Sequence, residues 1–584
     1  MNKMKSKHIN LILSLLAVLL AAALAATFCL LLCWKSFKTS SRYVETDCGK
    51  EALFGGQRVM LIVPHQDDDL SILGGVIEEY IKYGSDVRVL FTTTGDFSAA
   101  DGVRMQEAIE VLSLCGVPEE NIVFLGYIDS GLFSSVPSIY NAEADELITY
   151  PSGHTSTYGL PGHSAYNEGR LYTRSNLLED LENAILDYMP DILFCNDYDA
   201  HPDHRAASLF FDEAMCNILK SNPDYNPLIL KSFAYSYTFY GYQDFYDSPN
   251  IISTRKTCEE PFLAETNTYL WENRIRLPVS AAVLSRCLDT SKLYEEESLY
   301  VSQNAQTFAD RVINGDRVFF QRRSDSLCLN AEISSDSGNT KLLNDFKLYD
   351  SCNISVEDTL PTDGVWHPDT AKGSVSFTVT FPEPVNIKTL SLYDSPSLSD
   401  NILDALITFD SGFELHTGPL AANGSESIFE IDCCGISSFT VKFLSWEGDS
   451  PGISEIEAFE SEYTTECKYI KLMNFSGDFV YDYWIDGSED FSLYSSGCSF
   501  TLEDCLISCS NEKCSAELIN GALRVKCPYG QSALITLSCD GGQISDTVLI
   551  KNPSVIERIG WAVEKWGYEN NYPWRNNFLY RLLR

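Results

Sequence analysis

The sequence predicts a multidomain chain: an apolar N-terminal helix, an α/β body on a mostly parallel sheet, then two all-β sandwich domains. Three observations carry this reading. A 24-residue run from Leu11 to Trp34 holds only Ser14 and Thr27 as polar members. From Arg58 to about Asn330, short β-branched apolar runs alternate with stretches of helical periodicity, as strands buried on both faces and joined by crossover helices require. Beyond about residue 336, short alternating strands with turn signals take over, the pattern of all-β sandwiches.

In chain order, a short basic N-terminus (1–8, with Lys3, Lys5 and Lys7) precedes an apolar segment (9–34). The segment is long enough to cross a hydrocarbon core of about 30 Å as a helix. A signal peptide's apolar region is shorter, about 7–15 residues, so an uncleaved membrane anchor is favoured over a cleaved leader. Lys35, Lys38 and Arg42 flank the far side, so charge does not decide orientation. A long domain translocates regardless of local charge, and the body is expected outside, at the cell surface.

The α/β body is expected over 50–335. Residues 59–63, 87–94, 122–127 and 191–196 read as buried strands, and 69–83, 101–115 and 175–189 as helices. The sandwiches are expected over 336–460 and, immunoglobulin-like, over 461–552, with a helical tail over 553–584 whose Ile556, Ile559, Val563 and Trp566 recur at helical spacing and pack on a neighbouring domain. Seven cysteines between Cys467 and Cys539 crowd the second sandwich, a possible disulfide framework for an oxidising exterior. With 42 Lys+Arg against 82 Asp+Glu the net charge is −40. So acidic a chain is not a nucleic-acid binder, nor one that docks on anionic lipid through its folded body.

In open α/β sheets, ligands bind beyond the carboxyl ends of the strands. The first strand runs into Pro64-His65-Gln66-Asp67-Asp68-Asp69, and the strand at 191–196 runs into Asp197 through Arg205, which includes His201, Asp203 and His204. Three of the chain's eight histidines fall in these two loops. Each loop alone reads more readily as a helix start or a solvated turn. Together, at one sheet edge, they have the composition of a zinc site with an open position. Spacing alone allows either Asp67 or Asp68 as a ligand. Arg104 is placed to grip a substrate oxygen or to pair with Glu107 or a loop carboxylate. His163, in the Gly/Pro/Ser/Tyr-rich stretch 151–166, is a candidate substrate contact from a lid, and His154 shares that loop.

PHQDDD (64–69) followed by AHPDHRA (200–206) resembles the LmbE-like, or PIG-L, family of metal-dependent N-acetylglucosaminyl de-N-acetylases. TTTGD (92–96), Arg104 with Glu107, GYIDSG (126–131) and RVINGDRVFFQRR (311–323) extend the resemblance over about residues 55–330. The family's usual first motif is PHPDDE, so Gln66 and Asp69 depart from it. The resemblance implies a Rossmann-like catalytic domain that binds Zn2+ or another divalent metal. His65, Asp68 and His204 would hold the ion and Asp67 would be the general base. His201 would stabilise the tetrahedral intermediate or assist the leaving amine, with Asp203 orienting it. The implied substrate is an N-acetylated amino-sugar glycan or glycoconjugate. The rival reading is a non-catalytic glycan-binding surface protein on the same scaffold, or an amidase for another N-acyl compound. Trp366, the DSGFE turn (410–414) and PGISEIEAFE (451–460) resemble a discoidin-like, galactose-binding jelly roll. That implies a second glycan contact through 336–460, unless Trp366 and Trp446 are core residues.

Overall fold

A computed structural model describes residues 2–40, 43, 50–97, 100–129, 139–149, 153–199, 201–234, 239–240, 245–256, 271–308, 312–348, 364–373, 375–397, 399–462 and 467–570. Helix α1 (Asn2–Ser40) contains an apolar stretch, Ile12–Leu32, of 21 residues with mean hydropathy 2.8, exposed along its length. By length and composition it fits either a membrane span or a signal sequence. After the short helix α2 (Glu51–Phe54) the α/β body begins.

Strands β1 (Arg58–Val63), β2 (Asp86–Thr93), β3 (Ile122–Tyr127), β4 (Ile192–Asn196) and β5 (Leu228–Ser232) are all parallel and lie in the order β3-β2-β1-β4-β5. The strands Asp316–Arg322 and Ile275–Pro278 extend the sheet antiparallel beyond β5. Alternate residues of β1 serve opposite cores: Val59, Leu61 and Val63 pack on one face, Met60 and Ile62 on the other. This is why the strand reads as a continuous apolar run. Helices α3 (Asp68–Leu73), α4 (Ile77–Lys82) and α5 (Val103–Cys115) supply the first face. Helices α6 (Arg174–Tyr188) and α7 (Pro202–Ser221) supply the second. The helix expected over 69–83 is two helices, split at Gly74-Gly75. Gly75 has φ +77° and a Cβ there would lie 2.4 Å from Val279 Cγ1, so chain from beyond β5 packs into the break.

Behind this body, long bent strands Ser376–Asp394 and Glu426–Trp446 pair antiparallel within a six-stranded sheet. Strand Glu332–Ser335 pairs with Ser376–Asp394 in that sheet, so the β body starts before the expected boundary at 336. Trp366 is fully buried in its core and its Nε1–H donates to Ser337 O at 2.9 Å, the core role rather than a glycan contact. The next body stacks two four-stranded sheets over one core and carries the disulfide Cys505–Cys539. Helix Val555–Glu569 packs back on the α/β body through its Gly560/Glu564/Gly567 face, with Glu564 Oε2 accepting from Cys287 Sγ at 2.8 Å and Lys565 Nζ donating to Tyr246 O at 2.9 Å, whereas Ile559 and Trp566 of the expected apolar stripe stay exposed. The tail's Trp574, Arg575, Arg581 and Arg584 lie outside the described residues.

Buried arginines join the last β body to the α/β body. Arg286 Nη2 pairs with Asp482 Oδ1 at 2.8 Å, and Arg276 spans Asp316 Oδ2 (2.6 Å) and Gly477 O (2.8 Å). Arg322, from the sheet's antiparallel edge, pairs with Glu457 of the first β body.

Candidate metal centre

β1 and β4 are neighbours and parallel, so the loops that leave their carboxyl ends meet over one edge. The first loop delivers His65 and turns at once into α3. The second ends at His201, the N-cap of α7: its Nδ1 accepts the Asp203 N–H at 3.1 Å, and Pro202 takes the first helical position. A helix start and a site are thus built from the same residues.

Three donor atoms form a nearly equilateral triangle. His65 Nδ1, Asp68 Oδ2 and His204 Nε2 stand 3.2 Å from one another along every edge. A tetrahedral zinc ion with bonds of about 2.0–2.1 Å spaces its ligands by about 3.3–3.4 Å. The triangle therefore has the size of one face of such a tetrahedron. All three residues are buried. The far nitrogen of each imidazole has a carboxylate: His204 Nδ1 lies 2.9 Å from Asp199 Oδ2, and His65 Nε2 lies 3.3 Å from Asp203 Oδ2 and 3.7 Å from Asp129 Oδ1. Such partners fix tautomer and ring orientation in metal-bound histidines.

Electrostatics point the same way. Burial opposes charge on both rings. Hydrogen bonds to Asp129, Asp203 and Asp68 nevertheless hold His65 well above its usual range, and the charges of Asp199 and Asp68 raise His204 to about 9. His201 goes the other way, pushed down by burial and then by the neighbouring His65 and His204. The carboxylates gathered around the two ligand rings thus favour positive charge there, and protons compete with a metal ion for those positions.

Asp67 is the residue between the donors, and its backbone is unusual. Its φ is +137°, a conformation that costs a non-glycine residue of order 1–3 kcal/mol and is found where function demands it. Its side chain keeps 23% exposure while pairing with Arg104 Nη2 at 2.9 Å. The same Nη2 donates to Gln66 O at 2.7 Å. Burial, against the nearby Arg104 charge, raises Asp67 to about 6. Gly95 of TTTGD makes room: a Cβ there would lie 2.1 Å from Gln66 Oε1 and 2.8 Å from Arg104 Cδ.

Residues 60–215 match the family model described as PIG-L, GlcNAc-PI de-N-acetylase. The chain carries a PIG-L (LmbE-like) deacetylase domain. A second model, a domain of unknown function (DUF7402), matches residues 361–459. Among solved structures, the N,N'-diacetylchitobiose deacetylase of Pyrococcus horikoshii is 16% identical, covering 46% of this chain and 84% of its own, with TM-score 0.26. A conserved protein of Thermus thermophilus is 15% identical over 46% and 94%, TM-score 0.26. The zinc-inhibited form of teicoplanin deacetylase Orf2 is 16% identical over 46% and 99%, TM-score 0.25. None of the curated proteins matches the chain.

Within the PIG-L domain, His65, Asp67, Asp68, His201, Asp203 and His204 come together at one sheet edge. Two expectations change. Asp203 Oδ2 sits nearer His65 Nε2 (3.3 Å) than His201 Nδ1 (3.8 Å), so its carboxylate orients His65 rather than His201. His163 is not brought to the cleft. Its Nε2 bonds Ile122 O at 2.7 Å, at the amino end of β3 and the opposite edge of the sheet. Arg104 meets Asp67 rather than Glu107, which accepts from Ser302 instead. His154 lies against Tyr158, whose OH donates to Asp96 at 2.8 Å beyond β2. Asp129 is a site residue that the sequence reading misses, although it follows β3 by two residues and opens at the same edge.

Proposed function

We propose that the chain is a zinc-dependent hydrolase that removes the N-acetyl group from an N-acetylated amino sugar in a cell-surface glycan or glycoconjugate. The single observation that carries this is the 3.2 Å triangle of His65 Nδ1, Asp68 Oδ2 and His204 Nε2 with Asp67 beside it. These three residues would hold the ion, which when bound polarises the amide carbonyl and brings a water's pKa toward about 7.

The chain's own residues supply the rest. Asp67, raised to about 6, accepts the proton of the attacking water, since a general base works best near the operating pH. Arg104 fixes the carboxylate that does this. His201 Nδ1 is occupied by the Asp203 N–H, so the neutral ring carries its proton on Nε2. That N–H donates to the carbonyl oxygen as negative charge develops there. Surrendering that single proton would leave an anionic imidazole. This favours Asp67 as the group that returns its proton to the amide nitrogen as the C–N bond breaks, releasing acetate and the free amine. Asp199, Asp203 and Asp129 hold the ligand rings.

The domain matched over 361–459 would contact a second part of the glycan, and the apolar stretch of α1 would anchor the body outside the membrane. The test is acetate release from N-acetylglucosamine-containing substrates by the full chain. Release should need zinc, stop with a chelator, and fall at least about 10²-fold in Asp67→Asn. Wild-type release by Asp67→Asn would reject the assigned base. No release from any N-acetyl sugar by the zinc-loaded chain would favour a glycan-binding role.

A further inference from the structure

The base is braced by a segment far outside the matched family region. After helix Lys292–Glu297 the chain makes a tight turn, with Tyr300 N bonded to Glu297 O and Asn304 N to Val301 O. The residues on either side of the exposed Val301, buried Tyr300 and exposed Ser302, each hold a carboxylate. The fully buried Tyr300 donates its OH to Asp69, 2.7 Å from Oδ1 and 2.8 Å from Oδ2. Asp69 Oδ1 in turn accepts the Asp67 N–H at 3.1 Å. Ser302 donates its N–H (2.8 Å) and Oγ–H (2.6 Å) to Glu107 of α5, the helix that carries Arg104 to the Asp67 carboxylate.

Asp67 is thus held at its backbone through Asp69 and at its side chain through Arg104. Tyr300 fastens Asp69 directly, and Ser302 bonds Glu107, three residues along α5 from Arg104. Asp69 stands where the resembling family has a glutamate, and it receives its hydroxyl donor from 231 residues away. A residue at φ +137° relaxes unless its surroundings over-determine it, and relaxation would swing the carboxylate away from the donor triangle. A misplacement of about 1 Å costs of order 10²-fold in rate.

We propose that Tyr300 is a positioning residue for Asp67, acting through Asp69. This rests on the reading of Asp67 as the base, and two readouts separate the two claims. In the zinc-loaded full chain, Tyr300→Phe should lower kcat for acetate release by about 10- to 100-fold, with KM and zinc stoichiometry within about twofold of wild type. Asp69→Asn should act alike, and the double variant should be no slower than the slower single, because one relay is broken twice. In the zinc-free chain, Tyr300→Phe should speed hydrogen exchange of residues 66–70 by at least about tenfold. This second readout holds whether or not the chain deacetylates anything. Unchanged kcat in an active Tyr300→Phe enzyme, additive losses in the double variant, or unchanged exchange at 66–70 would each overturn the positioning role.

Discussion

At the scale of the residue, Asp67 combines the carboxylate proposed as the base with a backbone conformation suited to glycine. The two demands separate by substitution. Asp67→Gly and Asp67→Ala both remove the carboxylate and its ion pair with Arg104, so that loss cancels between them. What remains is the cost of φ +137°, which alanine bears and glycine does not. The glycine variant should be more stable by about 1–2 kcal/mol in denaturant titration, with both inactive. Equal stability would mean the loop relaxes without cost. The sequence places His65, His201 and His204 because they sit in short loops directly after apolar runs. The same rule applied to β3 finds Asp129. It does not find the Tyr300 to Asp69 bond, which depends on where a turn lands after 231 residues of chain. His163 misleads for the converse reason. Its loop composition suggests a lid, but composition does not say at which end of β3 the loop settles.

At the scale of the element, the strands are legible because burial on both faces makes β1 and β4 apolar throughout. The antiparallel strands at 275–278 and 316–322 are not, since they carry buried Arg276 and Arg317, whose partners Asp316 and Gly74 lie far away in sequence. The two loops at the parallel edge form an electrostatic unit whose pH response has a definite sign. His204 is raised to about 9 from about 6.5 in an unfolded chain. Its charged form therefore adds stability that is fully present below about pH 6.5 and is lost as pH rises through about 9. The zinc-free protein should lose Tm between about pH 6.5 and 8.5. Glu296, raised to about 9 by burial and by Glu78, adds slope of the same sign with or without metal, because a carboxyl protonated only when folded is also less stabilising as pH rises. The diagnostic is the difference: zinc should raise Tm more at about pH 8.5 than at about pH 6.5, since protons compete with it less for the two rings. A zinc-induced shift independent of pH would contradict the protonated cluster.

At the scale of the whole molecule, the three folded bodies are joined by ion pairs with almost no solvent exposure. Arg286 and Asp482 are 1% and 0% exposed at the side chain. Removing Arg286 takes away the pair between the bodies and leaves Asp482 with Lys551 Nζ, 3.2 Å from its Oδ1 and within the last β body, at a cost below the about 3–5 kcal/mol of a stranded buried charge. Arg286→Ala should therefore uncouple the last β body from the α/β body, turning one thermal transition into two in calorimetry. A single transition with unchanged Tm would show that the pair contributes little. The domain order is readable from pattern alone, but the docking is not, because its arginines look like ordinary surface charge in a chain of net charge −40.

The Arg286 to Asp482 pair also sets a timetable for synthesis. Its two members are 196 residues apart, and the guanidinium emerges first. At about 5–20 residues per second, the carboxylate that neutralises it arrives roughly 10–40 s later. During that interval the nascent α/β body displays an arginine-lined face to water and to whatever holds unfinished chains. A ribosome stalled before residue 482 should yield an α/β body that is easily cut by protease, and one stalled well past residue 552 should yield a resistant one.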